Sequence, residues 1–192
     1  MNTNVAGVYI TGLFGKSGLL VPTTKELLGS RMNDYIFWSV HVHPDGSLYY
    51  NNSALAQGGK TNPDIAQPIA DLIAAARKAK LVSTVWFSIG AGGVSDFQNI
   101  QTILKSGGKA VANLYANFEA AYQLGADGFD LDYEENLSDP VGLISQFTIV
   151  LNQPMRARLT YCPYYATSFW IDCLTPTANA PQPHPATHIH PP

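Results

Sequence analysis

Apolar residues along the first 174 positions fall into two patterns, short β-branched or aromatic runs and stretches spaced three and four apart, so strands and helices should alternate. Val5 to Phe14 predicts a strand around Val8, Tyr9 and Ile10, closed by Gly12 and Gly15. Tyr35 to Val42 predicts a second, followed by the turn His43-Pro44-Asp45-Gly46 and a short hairpin arm, Leu48 to Tyr50. From Pro68 to Lys80 the set Ile69, Leu72, Ile73 and Ala76 predicts an amphipathic helix with Pro68 at its first position. Leu81 to Ile89 reads as a buried parallel strand ending at Gly90. A helical region covers Asp96 to Leu124, broken at Gly107 and Gly108 and stopped by Gly125, with Val111, Leu114, Phe118 and Ala121 on one face. Gly128 to Glu135 makes a fourth strand. Asp139 as N-cap and Pro140 at the first position then open a helix through Leu143, Ile144, Phe147 and Leu151, and Arg158 to Tyr165 makes a fifth strand. Such alternation implies an α/β fold with a parallel sheet, either open and doubly wound or a (β/α) barrel, and periodicity leaves both open. No internal repeat is evident.

Composition changes at Thr175, after which Pro176, Pro181, Pro183, Pro185, Pro191 and Pro192 deny regular hydrogen bonding. The expected organisation is therefore one domain over residues 1–174 and a Pro- and His-rich tail over 175–192 that adds nothing to the core. His184, His188 and His190 lie in that tail, where no fixed ligand geometry is expected, so no metal is assigned. With 46% hydrophobic and 13% charged residues the rest should fold. Its 11 Lys and Arg against 14 Asp and Glu leave a formal charge of −3, which offers no basic field for nucleic acid or an anionic membrane surface. No apolar run reaches the roughly 18 residues of a membrane span, and no Lys or Arg precedes Val5 to Phe14, so neither a transmembrane helix nor a signal peptide is expected and localisation stays open. Cys162 and Cys173 are too few for a disulfide scaffold.

The fourth strand carries the chemistry. A central parallel strand should be nearly all apolar, yet this one reads Asp127-Gly128-Phe129-Asp130-Leu131-Asp132-Tyr133-Glu134. Alternation puts Phe129, Leu131 and Tyr133 on one face and Asp130, Asp132 and Glu134 on the other, successive members being roughly 6.6 Å apart. If the acidic face points into a barrel, its like charges cannot all ionise. Glu134, nearest the C-terminal mouth, then suits a protonated general acid, with Asp130 and Asp132 sharing a proton below it. A solvated acidic edge strand and a divalent-cation site are the competing readings. A dinucleotide turn at Gly90 to Gly93 fits poorly, since G-x-G-x-x-G needs glycine where Ser95 stands.

At these residues the chain resembles glycoside hydrolase family 18, the chitinases and related endo-β-N-acetylglucosaminidases, whose signature DGxDxDxE on the fourth barrel strand stands here as DGFDLDYE. Ser88-Ile89-Gly90-Ala91-Gly92-Gly93 is similar to the family's SxGG turn, and Leu159-Thr160-Tyr161-Cys162-Pro163 to its fifth strand. The resemblance implies a TIM-type (β/α)8 barrel and a retaining hydrolase that cleaves β-1,4-linked N-acetylglucosamine in chitin, chito-oligosaccharide or the N-glycan core. In that scheme Glu134 is the acid, Asp132 orients and stabilises the N-acetyl group, and Asp130 supports Asp132. The substrate's own acetamide oxygen replaces an enzyme nucleophile. Tyr9, Tyr133 and Tyr161 become substrate contacts, Asp127, Gly128, Ser88 and Gly90 structural parts, and no cofactor is required.

A whole barrel takes about 250 residues, whereas five strands are recognisable here. The family's sixth-strand Met-x-Tyr-Asp element and eighth-strand Trp have no counterpart after Tyr165, so the resemblance covers roughly residues 5–174 and implies a barrel truncated after about five β/α units. Exposed strand edges would then favour self-association. Besides the hydrolase, a noncatalytic chitinase-like carbohydrate binder or an inactive truncated remnant stays in play.

Overall fold

The structure, a computed structural model, describes residues 6–10, 20–155 and 158–163, with side-chain surroundings for 6–10, 25–149 and 151. In chain order it contains β1 (Gly7–Ile10), α1 (Leu20–Gly29), β2 (Asp34–Val42), β3 (Leu48–Tyr50), β4 (Ser53–Gln57), β5 (Lys60–Thr61), α2 (Pro63–Lys78), β6 (Thr84–Ile89), α3 (Asp96–Ser106), α4 (Gly108–Tyr122), β7 (Gly128–Tyr133), α5 (Pro140–Met155) and β8 (Arg158–Pro163). The tail over 175–192 and Cys173 lie outside the described residues.

The architecture is mixed α/β. Strands β1, β2, β6, β7 and β8 lie side by side in sequence order and are parallel throughout. A doubly wound sheet would reverse its order at a switch point, and no reversal occurs among these five. β3, β4 and β5 form an antiparallel lobe hanging from the C-terminal end of β2, with Val40 opposite Tyr50. Sequence predicts only the first arm of this lobe.

Hydrophobic side chains collect on one side of the sheet. Phe37, Phe87 and Phe129 stand at one register level on adjacent strands and are fully buried. Ring centroids lie 5.3 Å apart for Phe37 and Phe87, and 6.5 Å for Phe87 and Phe129. Phe118 of α4 meets Phe129 edge-on at 5.0 Å and Phe147 of α5 at 5.2 Å, which ties two helices to the strand that bears the acidic row. On the other side of the sheet Tyr9, Ile36, Trp38 and Trp86 keep partial exposure.

Helix boundaries follow local chemistry. Pro63, not Pro68, takes the first position of α2, because Asn62 caps it by accepting the Asp64 N–H at 3.1 Å; Pro68 lies within the helix. Asp139 caps α5 through the Gly142 N–H at 2.9 Å, as its place before Pro140 predicts. α4 carries the β3–β5 lobe through Asn117, which is fully buried. Its amide donates to Gly46 O at 2.7 Å and its carbonyl accepts the Gly59 N–H at 2.8 Å. No described helix is long and apolar enough to cross a membrane.

Candidate active site

The alternation read from the sequence holds on β7. Phe129 and Tyr133 face the helices, Tyr133 meeting Phe97 of α3 at 4.9 Å, and Leu131 is buried with them. Asp130 and Asp132 face the other way. Ser88 on β6 is the register partner of Asp130 and donates its hydroxyl to Asp130 Oδ2 at 2.8 Å, both groups being buried. A buried carboxylate needs such a donor.

Asp132 is held by a group the sequence did not single out. Trp38, midway along β2, donates its indole N–H to Asp132 Oδ2 at 3.0 Å. Two strands thus converge across β6 on one carboxylate. The signal was available: two aromatics in succession, Phe37 and Trp38, place one ring on each face of the strand, and the outward one carries a donor.

Glu134 follows the last residue of β7 and is partly exposed at the C-terminal mouth. It lies against the Gly90 to Gly93 turn so closely that a methyl group on Gly92 would stand 2.9 Å from Glu134 Oε2. Gly90 is needed for a different reason. Its φ is +101°, and a β-carbon there would collide with the Asp132 carbonyl oxygen and meet Phe97 at 2.8 Å. The turn is therefore packed against the backbone and side chain of the acidic strand at two successive positions of one face.

The first motif residue is architectural. Asp127 Oδ2 accepts the Val85 N–H at 2.8 Å and Arg77 Nη2 at 2.9 Å, joining the starts of β6 and β7 to α2. Gly128, buried, sits in register with Trp86 and brings no side chain beside that indole. Tyr9 is 57% exposed on the face shared by Ile36 and Trp86, at the register level below Ser88 and Asp130. Tyr133 corrects the expectation of a substrate contact: its ring is buried on the helix side and its hydroxyl accepts the Leu137 N–H at 3.0 Å, because alternation fixes it opposite the acids. Tyr161 pairs with Leu131 in β8, and its side chain lies outside the described residues.

The loop beyond β7 also anchors the turn. Glu135 accepts the Phe97 and Gln98 N–H groups at 2.7 and 2.9 Å, capping α3 from outside the helix. Burial pushes its pKa up, against the lowering effect of those two bonds. On β2, burial opposes but does not cancel the effect of Asp96 on His41, whose pKa is raised chiefly by the hydrogen bond to Asp96 at 2.9 Å. A raised imidazole pKa stabilises the fold most below 6.5 and less as pH climbs through the folded value. Urea unfolding should accordingly show His41→Gln most destabilising near pH 6, with the gap to the parent narrowing by pH 8. A gap that widens with pH would show that His41 is held as the neutral base.

Among the described residues no three His, Cys, Asp or Glu side chains converge as a metal site would need.

No family model matches the chain, and no curated protein is similar to it in sequence. Solved structures are similar in fold. The family 18 chitinase of Cycas revoluta in complex with (GlcNAc)3 superposes with a TM-score of 0.57 at 17% identity, covering 82% of this chain and 45% of that one. A family 18 chitinase from the chitin utilization locus of Flavobacterium johnsoniae gives 0.56 at 15%, covering 86% and 48%. The spore cortex-lytic enzyme SleL of Bacillus cereus gives 0.53 at 15%, covering 82% and 34%. The likeness is one of fold, and the chain spans less than half the length of each of these structures.

Proposed function

We propose that this chain is the N-terminal part of a family 18 type (β/α) barrel, five β/α units of it, and that the acidic face of β7 binds and hydrolyses β-linked N-acetylglucosamine with retention. One observation carries the reading: Asp130 and Asp132 share a face at the C-terminal half of a central parallel strand, each fixed by a donor from a different strand, with Glu134 at the mouth above them. Glu134 delivers a proton to the leaving glycosidic oxygen. Asp132 holds the 2-acetamido group so that its oxygen attacks the anomeric carbon, and stabilises the positive charge of the oxazolinium that results. Asp130 and Ser88 hold the strand's inner polar layer in place, and Trp38 fixes the carboxylate of Asp132. Tyr9 offers an exposed ring to a pyranose. The chemistry needs no cofactor.

Release of fluorophore from an N-acetylchitobioside is the test. Turnover supports the hydrolase; tight binding of chito-oligosaccharide without turnover favours the noncatalytic binder. Within this scheme Trp38→Phe keeps the ring and removes the donor. Loss of one hydrogen bond to a charged group, about 1.5–3 kcal/mol, should lower kcat/KM roughly ten- to a hundredfold. Unchanged kinetics would mean that Asp132 is oriented by something else.

A further inference from the structure

The residues on either side of Glu134 in the chain are both attached to α3, and to the same residue of it. The ring of Tyr133 meets the ring of Phe97 at 4.9 Å, and Glu135 Oε1 accepts the Phe97 N–H at 2.7 Å while Oε2 accepts the Gln98 N–H at 2.9 Å. The Tyr133 hydroxyl accepts the Leu137 N–H at 3.0 Å, which folds the loop back over this attachment. Glu134 itself lies against Gly92, in the turn that leads into α3. Its backbone is therefore held on both sides, and its carboxyl group rests on a turn that ends in the same anchor.

α3 did not need a second strand's loop to supply this bond. The Phe97 and Gln98 N–H groups are the pair that an N-cap side chain ordinarily takes, and Ser95 stands at the cap position without making a capping bond. Asp96, the next residue, is turned to His41 and Val42. The acceptor comes instead from the residue that follows the acid. Burial raises the Glu135 pKa against the lowering effect of the two N–H groups, and a carboxyl group raised on folding weakens the fold as pH climbs through the folded value. Helix capping alone does not account for a charge placed there.

We propose that Glu135 is a positioning residue: by tying the chain to α3 directly after Glu134, it holds the Glu134 carboxyl group where the proton must be delivered. The inference rests on the reading of Glu134 as the general acid. Glu135 acts through the backbone it shares with Glu134, and a small displacement of a proton donor is costly because transfer requires hydrogen-bond reach of the leaving oxygen.

The experiment compares the full chain with Glu135→Gln and with the double variant Ser95→Asp/Glu135→Gln. Glutamine offers one acceptor oxygen where the carboxylate offers two, and the aspartate introduced at position 95 can cap α3 from within without restoring the tie to β7. Two readouts are taken: kcat/KM on an N-acetylchito-oligosaccharide and on a dinitrophenyl N-acetylchitobioside, whose leaving group departs without a proton, and, with no sugar present, hydrogen exchange at the backbone amides of residues 134–136. The expected result is a loss of about ten- to a hundredfold on the oligosaccharide in both variants, little change on the dinitrophenyl substrate, and faster exchange in both. Recovery of oligosaccharide cleavage in the double variant would reduce Glu135 to a helix cap and overturn the proposal. Equal losses on the two substrates, or exchange unchanged in Glu135→Gln, would overturn it as well. A parent that cleaves neither substrate sinks the glycosidase reading, and exchange then decides separately whether Glu135 holds its neighbour in place. If Glu135→Gln fails to fold by circular dichroism, Glu135→Asp, one methylene shorter, replaces it in every comparison.

Discussion

Replacing Glu134 by Gln is expected to remove most hydrolysis of N-acetylglucosaminides, by about 10²- to 10⁴-fold, while leaving sugar affinity nearly intact. Glutamine keeps the shape and can still hydrogen-bond, but has no proton to give a departing oxygen. The position of Glu134 makes the contrast clean. It stands past the end of β7, partly exposed and packed on the Gly92 side of the turn, so the change leaves no unpaired charge in the core. Asp132→Asn should also be severe, since Asp132 would face the developing oxazolinium charge. Asp130→Asn should be milder, because Asp130 is buried against Ser88 one layer below. Comparing kcat and KM for the three variants checks the order, and a Glu134→Gln protein as active as the parent would place the acid elsewhere.

Gly90→Ala is expected to be the most damaging small substitution in the chain's fold. Alanine at φ +101° carries backbone strain of about 1–3 kcal/mol, and the added methyl is driven into the Asp132 carbonyl, an atom of a central strand that cannot swing aside as a side chain tip could. Overpacking of that kind costs a further 1–3 kcal/mol or so, a large share of a total stability of roughly 5–15 kcal/mol. Urea denaturation followed by circular dichroism should show a midpoint far below the parent's. Gly93→Ala provides the comparison: its φ is +77° but nothing lies within 4 Å of the added carbon, so only the strain is felt. Equal losses for both would mean that the contact with β7 is not what matters.

Much of the scaffold could be read from residues acting locally. β2 and β6 are runs rich in β-branched and aromatic residues, and α5 is announced by Asp139-Pro140, whose capping bond forms as its spacing requires. The faces of β7 follow from period two alone. What escaped reading depends on partners remote in sequence or on weak local signals. β4 contains Ala54 and Ala56, poor strand formers, and pairs because Asn51 and Asn52 turn the chain with positive φ of 49° and 60°, while Gly58 and Gly59 at 56° and 75° return it. The double-asparagine and double-glycine turns were visible; the alanine between them disguised the strand. α1 carries Pro22 and two adjacent threonines, which mute its helical pattern. Asp96 looked like the opening acid of a helix, yet it turns inward to His41 and Val42, a contact spanning more than fifty residues that no spacing rule announces. Trp38 is the same kind of case, its partner being ninety-four residues away.

The central claim is that the acidic face of β7 uses the substrate's acetamide as its nucleophile. Proton NMR of the purified chain mixed with a short N-acetylchito-oligosaccharide tests it most directly, because the first reducing ends to appear report the stereochemistry before mutarotation blurs it. The β-anomer appearing first is the predicted result. The α-anomer appearing first, or an oligosaccharide left intact with resonances undisturbed by the protein, would contradict the account.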